Sequence, residues 1–528
     1  MAAPEGGDRH FRTDAVRAEL TRRSASSGIY AISGRVLQII MRVGSVVVLA
    51  RLLTPEDFGV RGLALPITIL LHGVLNLGLH IAALQREDLD HEGLSRLFWF
   101  SSWVNLLLVG GMALLGPLMA SFYGDPRVTG VTITWAAALY LMNVGAFHET
   151  LLKRQMRFGT LVSIHTLSMA FGIVVAIVAA ALGAGYWALV YDILAMSLVR
   201  AIGVWMLCGW RPSRPRRMSI AEDFGTGSML TYGKGLTGFR FVSWLGAQLD
   251  RVLVGLLGGA AILGLYDNSR RWAWLPFLEL HQSLSDVAVA SFSRVQREPT
   301  EYRRIVRGGL ASILALVMPA TAFILVEARE VVLVLFGSQW IESVPYVQLM
   351  SVAALAGGLN RLNQWIYNSL GETARQFRWS VFQTLVTVVA LLIGVPWGPM
   401  GVAIGFTAAV VLLTYPSVVY CLRTAPLTPA DFFGAAARPA AASFLASAVT
   451  FAAARLALTG IGLAFAFTIE VALFGGVYVL AWILLPGGRA AAVDVKRALR
   501  DVVGRGAAGA GRGATSTPEE APDAQVVP

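Results

Sequence analysis

The chain has 528 residues, of which 56% are hydrophobic and 14% are charged, and its mean hydropathy is +0.63. A soluble protein of this length needs more polar surface, so this composition excludes one and predicts an all-α polytopic membrane protein. The formal charge is +11, but basic residues are spread over many short segments, so nucleic acid is not an expected partner. With only Cys208 and Cys421, we expect neither a disulfide framework nor a cysteine metal site.

About 20 apolar residues cross a bilayer, and on that basis we predict fourteen transmembrane helices with short connections. In chain order they lie near residues 28–50, 60–84, 97–121, 130–151, 159–183, 187–209, 226–254, 261–292, 306–327, 343–370, 377–396, 400–422, 436–458 and 462–485. They form two pseudo-symmetric six-helix lobes plus two C-terminal helices.

The helices define six predicted units along the chain. These are a cytoplasmic basic N-terminal arm (1–27), an N-terminal transmembrane lobe (28–209), a basic cytoplasmic linker (210–225), a C-terminal transmembrane lobe (226–422), two additional transmembrane helices (436–485) and a cytoplasmic tail (487–528). The tail has too few large apolar residues to bury a core, so we expect it to be largely disordered.

Lysine and arginine resist translocation, so they collect in cytoplasmic loops. With a cytoplasmic N-terminus, the inner segments hold 29 of them and the outer loops hold four. The outer four are Arg51, Arg61, Arg127 and Arg329. A missed helix would scramble this division, so both termini are expected in the cytoplasm.

Two stretches about 205 positions apart are related. Leu49–Val60 lines up with Val254–Leu265, and Gly59 then pairs with Gly264. Each stretch links two long apolar segments. Membrane proteins built from two related helical halves most often hold their substrate between the halves, near the bilayer midplane. The repeat therefore favours a transporter.

The other ten Lys and Arg residues fall within predicted spans, where facing lipid would cost roughly 2.5–3.5 kcal/mol each. They are Arg35, Arg42, Arg200, Lys234, Arg240, Arg251, Arg270, Arg271, Arg361 and Arg455. Arg200 and Arg455 lie near helix ends and are expected to reach the interface. The others should face a polar interior.

Polar residues form stripes on several of these spans. Arg35, Gln38, Arg42 and Ser45 share one face of span one. Span eight carries a second stripe of Asn268, Arg271, Glu279, Gln282 and Asp286. Span seven adds Lys234, Arg240, Asp250 and Arg251, and span ten adds Asn360, Arg361 and Gln364.

Cationic side chains in these stripes outnumber the acids Asp250, Asp267, Glu279 and Asp286. A cavity with that lining suits a phosphate or diphosphate, because arginine offers bidentate donors. The alternative is a self-neutralised polar core without a ligand, including a local pair between Asp267 and Arg271 at i, i+4.

No motif indicates an enzyme. Gly233-Lys234-Gly235 lacks the residues of a phosphate-binding loop and lies in an apolar helix. His281 falls opposite the stripe on span eight and is expected to be packed. We therefore expect no catalytic residue, metal or cofactor.

Five segments resemble polysaccharide flippases of the multidrug, oligosaccharidyl-lipid and polysaccharide exporter superfamily. They are Leu49–Val60, Asp250–Gly255, Leu263–Tyr266, Phe336–Trp340 and Leu370–Thr373. The resemblance covers about residues 25 to 485, and the order and spacing of the segments also match those of the family. One departure is that Pro55-Glu56 aligns with Ala260-Ala261, so the two halves need not act alike.

The resemblance implies alternating access and transfer of polyprenyl-diphosphate-linked oligosaccharide from the inner to the outer leaflet of a bacterial plasma membrane. A polysaccharide polymerase and chain-length machinery are candidate protein partners. On this basis Arg42, Arg240 and Arg271 are predicted to hold the diphosphate and Arg35 to capture it.

Asn360, Gln364 and Trp365 are then predicted to contact sugars, and the remaining polar positions complete the cavity. The predicted gating or structural residues are Asp57, Gly59, Asp250, Arg251, Gly264 and Asp267. A multidrug or cation-coupled exporter of the same superfamily is the alternative, although it should have an acidic cavity. A membrane polymerase should have a large outer loop.

Overall fold

The backbone and the side chains are described over slightly different parts of the chain. The computed structural model describes the backbone of residues 20–75, 91–214, 228–456, 461–486 and 488, with side chains over 34–70, 91–214, 244–456, 461–486 and 488.

Within the described residues the chain is built from helices without strands. In chain order they are α1 (Leu20–Leu52), α2 (Pro55–Leu75), α3 (His91–Tyr123), α4 (Arg127–Arg154), α5 (Phe158–Ala181), α6 (Trp187–Cys208), α7 (Ser228–Arg294), α8 (Pro299–Val326), α9 (Ala328–Leu335), α10 (Val344–Leu370), α11 (Thr373–Gly394), α12 (Gly398–Leu422), α13 (Pro429–Leu456) and α14 (Leu463–Leu484). Short 3₁₀ turns at Ser338–Ser343 and Val395–Trp397 precede α10 and α12.

Helix α7 is two helices joined at a kink. Gly259 has φ 67° and ψ −168°, a conformation that glycine adopts without a Cβ clash. We call the part before Gly259 α7a and the part after it α7b. With this division, the long helical segments follow the predicted spans, and the short α9 is an addition.

Nine stretches within the described residues are long and apolar enough to cross a membrane. Two of them, Trp244–Arg294 and Thr373–Leu422, contain two helices each. At 1.5 Å per residue, stretches of 51 and 50 residues exceed one bilayer thickness and must cross more than once. The prediction of an all-α multi-pass membrane protein is confirmed.

The two repeat segments touch each other where α1 ends, which we call the outer end after the orientation that the basic residues predict. A Cβ on Gly59 would lie 1.6 Å from the carbonyl oxygen of Ala260, and one on Gly264 would lie 1.8 Å from that of Pro55. Because Gly59 aligns with Gly264 and Pro55 with Ala260, the halves make one contact twice. Glycine permits this close backbone approach.

Polar contacts join the lobes at the same end. The Arg51 guanidinium donates to the carbonyl oxygen of Val334 in α9. Gln339 Nε2 and Trp340 Nε1 donate to the carbonyl oxygen of Ala50 at 2.6 and 2.8 Å. Trp340 is fully buried. The outer end is therefore closed between the lobes.

Asp57 positions α2 at this closed end. Its Oδ2 accepts hydrogen bonds from the Thr54 amide and hydroxyl at 2.9 and 2.8 Å, while its own amide donates to Thr54 Oγ1 at 3.3 Å. This reciprocal arrangement is a capping box, which satisfies amides at the helix start. The role that the structure gives Asp57 is to fix the start of α2.

We expect Gly59→Leu to force the outer ends apart, because the backbone of Ala260 leaves no room for a side chain and overpacking costs about 1–3 kcal/mol. Spin labels on the half-exposed positions Leu52 and Ile341 in a cysteine-free background should report a longer distance. Gly44→Ala is the control, because its Cβ would meet nothing within 4 Å. An unchanged distance in Gly59→Leu would contradict the contact.

Candidate substrate cavity

A cavity of about 860 Å³ lies between the two lobes. Helices α1 and α2 line one side, and α7 and α10 to α12 line the other. From the first lobe the lining residues are Arg42, Arg61 and Leu65. The cavity therefore occupies the position that the sequence repeat predicts for a substrate.

Arginine dominates the charged part of the lining. The charged lining residues are Arg42, Arg61, Arg251, Arg270, Arg271, Arg361, Asp267 and Glu279. Six cations against two acids give a net formal charge of +4. The described lining thus has the cationic excess that the sequence indicates, and an anion entering it would lower the repulsion.

Glu279 of α7b bridges two arginines of α1. Its Oε2 lies 3.3 Å from Arg35 Nη2, and its Oε1 lies 3.0 Å from Arg42 Nη1. Arg35 also donates to Gln282 Oε1 at 2.6 Å. The side chains of Arg35 and Arg42 remain 36% and 41% exposed, whereas Glu279 is 13% exposed. One carboxylate therefore links the lobes while both guanidinium groups stay open to water.

Other arginines are neutralised within the second lobe. The buried Asp250 accepts hydrogen bonds from Arg270 and, at 2.5 Å, from the Tyr266 hydroxyl. Arg251 Nε lies 2.5 Å from Asp267 Oδ1. These pairs make Asp250, Arg251 and Asp267 structural links between α7a and α7b.

Arg271 takes part in neither of these pairs. The local pair with Asp267, which was the self-neutralised alternative, does not form, because Asp267 faces Arg251 across the kink at Gly259. Among the described residues, Arg271 has no hydrogen bond or ion pair within 4.0 Å. The charges acting on it are those of Arg61 and Arg42, opposed by those of Asp267 and Asp192. Arg271 therefore lines the cavity with acids nearby but none in direct contact with it.

Arg61 corrects the sequence prediction. It was counted with the outer loops because it lies at the very start of the predicted span 60–84, but α2 begins at Pro55, so Arg61 lies well inside the helix and lines the cavity. Its Nε is buried without a hydrogen-bond partner in the described residues. The guanidinium lies 5.8 Å from the Trp135 ring centroid. The capping box Thr54–Asp57 is the sequence signal that would have located the helix start.

Helix α11 presents an uncharged polar face to the same cavity. Residues at spacings of 3, 4, 7, 8 and 11 from the first line it, which is the periodicity of one helical face. They are Gln376, Trp379, Ser380, Gln383, Thr384 and Thr387. The sequence analysis did not identify this face, although its spacing is visible in the sequence.

Neighbouring α10 extends this uncharged region. Asn360 and Gln364 line the cavity, as predicted. Arg361 also lines it, with its guanidinium 5.2 Å from the Trp274 ring centroid. Tyr367 and Asn363 complete the α10 surface. Cations therefore face uncharged amides and hydroxyls across one cavity.

Several predicted residues lie elsewhere. Gln38 donates to Thr166 Oγ1 of α5 at 3.0 Å, because its face of α1 turns toward α5. Trp365 is 1% exposed and bonds Ser285, so it packs in the second lobe and does not line the cavity. His281 stacks on Trp365 with ring centroids 5.2 Å apart, as a packed histidine would.

Two predicted cavity residues have side chains outside the described residues, and the prediction for Arg200 is wrong. The side chains of Lys234 and Arg240 lie outside the described residues, although the backbone there belongs to α7a. Arg200 does not reach for the interface. It forms two hydrogen bonds with Glu149, at 2.6 and 2.9 Å, because Glu149 of α4 is buried opposite it.

Comparison with known proteins finds relatives in polysaccharide biosynthesis. Residues 48–345 match the family described as polysaccharide biosynthesis protein. The lipopolysaccharide biosynthesis protein WzxC of Escherichia coli (strain K12) is 23% identical over 412 residues, 76% of this chain and 82% of WzxC. The succinoglycan biosynthesis transport protein ExoT of Rhizobium meliloti (strain 1021) is 23% identical over 414 residues, 77% of this chain and 81% of ExoT.

Solved structures share the fold. The inward closed conformation of the lipid II flippase MurJ has a TM-score of 0.67 at 14% identity, covering 87% of this chain and 98% of that chain. An inward-facing multidrug transporter of the MATE family has a TM-score of 0.56 at 16% identity, covering 78% and 98%. At such identities these matches establish the architecture alone.

We predict that Asp250→Asn destabilises the protein by about 3–5 kcal/mol, because it leaves the Arg270 charge buried without its partner. Thermal unfolding in lipid nanodiscs would measure the effect. Asp286→Asn on α7b is the matched control, since Asp286 is exposed. Equal unfolding temperatures for the two variants would show that the Asp250 pair is not structural.

Proposed function

This chain belongs to the polysaccharide biosynthesis protein family, and from that premise we propose that it is a flippase for polyprenyl-diphosphate-linked oligosaccharide repeat units. It acts in the bacterial plasma membrane by alternating access, with both termini in the cytoplasm, and carries out no covalent chemistry. Its product serves exopolysaccharide, capsule or O-antigen synthesis. The main support for this proposal is the arginine-rich cavity between the lobes.

The diphosphate is the part of this substrate that arginine recognises. Arg42 and Arg271 line the cavity, and Arg61 joins them from α2. Guanidinium groups bind phosphate oxygens through paired hydrogen bonds, and such charge-assisted bonds are about twice as strong as neutral ones. Together with Arg240, predicted from the sequence, these residues form the diphosphate site.

Glu279 supplies a counter-anion when substrate is absent. It neutralises Arg35 and Arg42 across the lobes in this conformation. A diphosphate arriving from the inner leaflet meets Arg35 first and replaces the carboxylate at Arg42. A ligand shifts a conformational equilibrium only through different affinities for the two states. Exchange of Glu279 for diphosphate provides that difference, because it breaks an ion pair between the lobes.

The sugars follow the diphosphate onto the uncharged faces of α10 and α11. Gln364, Gln376 and Gln383 line the cavity there and offer amide donors and acceptors. Trp379 adds an aromatic ring at the cavity, stacked on Tyr420 with centroids 5.3 Å apart. Asn360 and Gln364 keep their predicted sugar contacts, and Trp379 takes the place of the buried Trp365.

A multidrug or cation-coupled exporter is the alternative, because a MATE transporter shares this fold. Such a protein carries cationic compounds and requires acidic side chains where they bind. Here the acids that line the cavity, Asp267 and Glu279, are both already paired with arginine. The charge of the lining therefore favours an anionic substrate.

Arg42→Ala should lower transport by about tenfold or more, because hydrogen bonds to charged groups contribute about 1.5–3 kcal/mol. The measurement is transfer of a fluorescent polyprenyl-diphosphate oligosaccharide between leaflets of proteoliposomes. Arg378→Ala is the control, since Arg378 is exposed and does not line the cavity. Full transport by Arg42→Ala at normal protein levels would remove Arg42 from the site.

The double substitution Gln376→Ala and Gln383→Ala should abolish any preference for sugar-bearing lipid. Wild-type protein is expected to bind a polyprenyl diphosphate carrying a neutral tetrasaccharide about tenfold more tightly than the bare diphosphate, since each hydrogen bond contributes about 1 kcal/mol. Microscale thermophoresis would measure both affinities.

The variant should bind the two lipids equally while keeping the affinity for the bare diphosphate. Leu385→Ala, on the opposite face of α11 and 60% exposed, should behave as wild type. A double variant that still prefers the sugar-bearing lipid would place the sugars elsewhere.

A further inference from the structure

A second set of buried polar groups lies outside the cavity, between α8, α13 and α14. Glu327, directly after α8, and Glu470 of α14 are each 3% exposed. Neither residue lines the cavity. The proposed movement of diphosphate-linked sugars makes no use of them.

Helical register places these groups in one layer. Ala322 of α8, Ala446 of α13 and Phe474 of α14 pack together in a small hydrophobic cluster. Residues four apart lie one above the other on a helix face. Thr450 follows Ala446 by four residues and Glu470 precedes Phe474 by four.

Glu327 stands five residues after Ala322. Thr450 and Glu470 therefore lie one turn outward from the apolar cluster, and Glu327 lies just beyond the outer end of α8. Three helices converge there, each supplying one polar side chain.

These side chains carry oxygen atoms without partners in the described part of the chain. Glu327 Oε1, Thr450 Oγ1 and Glu470 Oε2 are buried and form no hydrogen bond there. Thr450 is fully buried. Burying an ionised carboxylate without a partner is so costly that such groups become neutral or bind a cation. Two buried carboxyl groups that act on each other as like charges therefore indicate a bound positive charge.

The charged residues around the layer do not supply that charge. Glu330 and Arg329 of α9 pair with each other, with Arg329 Nη1 3.7 Å from Glu330 Oε1. The exposed Arg455 of α13 lies over the Phe451 ring at 4.8 Å. Glu470 and Glu330 act on Glu327 as like charges, and Arg455 acts as the opposing charge. The layer keeps an excess of acid.

We propose that Glu327 and Glu470 share one proton, exchanged with water at the outer end. When it is bound, one carboxyl group is neutral and the pair carries a single negative charge; its release to water leaves two carboxylates. A proton needs only the two carboxyl oxygens that the described residues leave without partners. This proton site does not depend on the proposed function.

The pKa of Glu327 agrees with this assignment. Burial and the like charges of Glu470 and Glu330 raise it to about 7, with Arg455 opposing them. Because the folded-state pKa lies above the ordinary value of 4.5, the protonated form favours the folded protein at low pH. That contribution is present below pH 4.5 and is lost as the pH rises through about 7.

Infrared pH-difference spectroscopy on the purified full chain in lipid nanodiscs tests the site directly. Wild-type protein should show a carboxylic-acid band that disappears with a midpoint near pH 7. Glu327→Gln and Glu470→Gln should each lower the midpoint, because the remaining carboxyl group loses its acidic neighbour, and the double substitution should remove the band. Glu330→Gln should keep it with a lower midpoint, because a like charge has been removed. A band that survives the double substitution, or a wild-type protein without one, would overturn the proposal.

Two additions keep the experiment decisive. Glu470→Asp retains a carboxyl group, so it should retain a titrating band even where Glu470→Gln does not yield monodisperse protein. Spectra in sodium and in choline chloride distinguish the ion that is bound. A band that sodium abolishes would overturn the shared proton in favour of a sodium site.

Discussion

The cost of holding charge inside a membrane governs this structure. An isolated ionised group in a low-dielectric medium must find a counter-charge, reach water or become neutral. Asp250 with Arg270 and Asp267 with Arg251 follow the first course within the second lobe. Arg61 and Arg271 line the cavity without an ion pair within 4.0 Å among the described residues, which is why the cavity suits an anion.

The same constraint connects the cavity to movement of the lobes. Glu279 is the carboxylate through which α7b reaches the two arginines of α1. The outer end is instead held by backbone contact at Gly59 and Gly264 and by bonds to the carbonyl oxygen of Ala50. The outer end is thus closed by packing. At the cavity, the lobes are linked by the Glu279 carboxylate, which an anionic ligand can replace.

The sequence predicted the helices well because apolar length and the distribution of basic residues are both set by the bilayer. It also predicted Arg42, Arg271, Glu279, Asn360 and Gln364 at one cavity. Prediction from the sequence failed where the position of a side chain depends on tertiary packing. Gln38 shares a helical face with Arg42 but meets Thr166, and Trp365 packs inside the second lobe. Arg61 was counted with a loop because it lay at the edge of its predicted span, whereas the helix begins at Pro55. The α11 face was overlooked because its side chains carry no charge.

The leaflet location of polyprenyl-linked sugar intermediates in cells depleted of this protein tests the central claim most directly. A flippase predicts that complete repeat units accumulate on the inner leaflet, where an added membrane-impermeant glycosidase cannot reach them. Single repeat units accumulating on the outer leaflet would instead indicate a polymerase. A normal distribution of glycolipid together with altered drug efflux would contradict the account and favour the exporter.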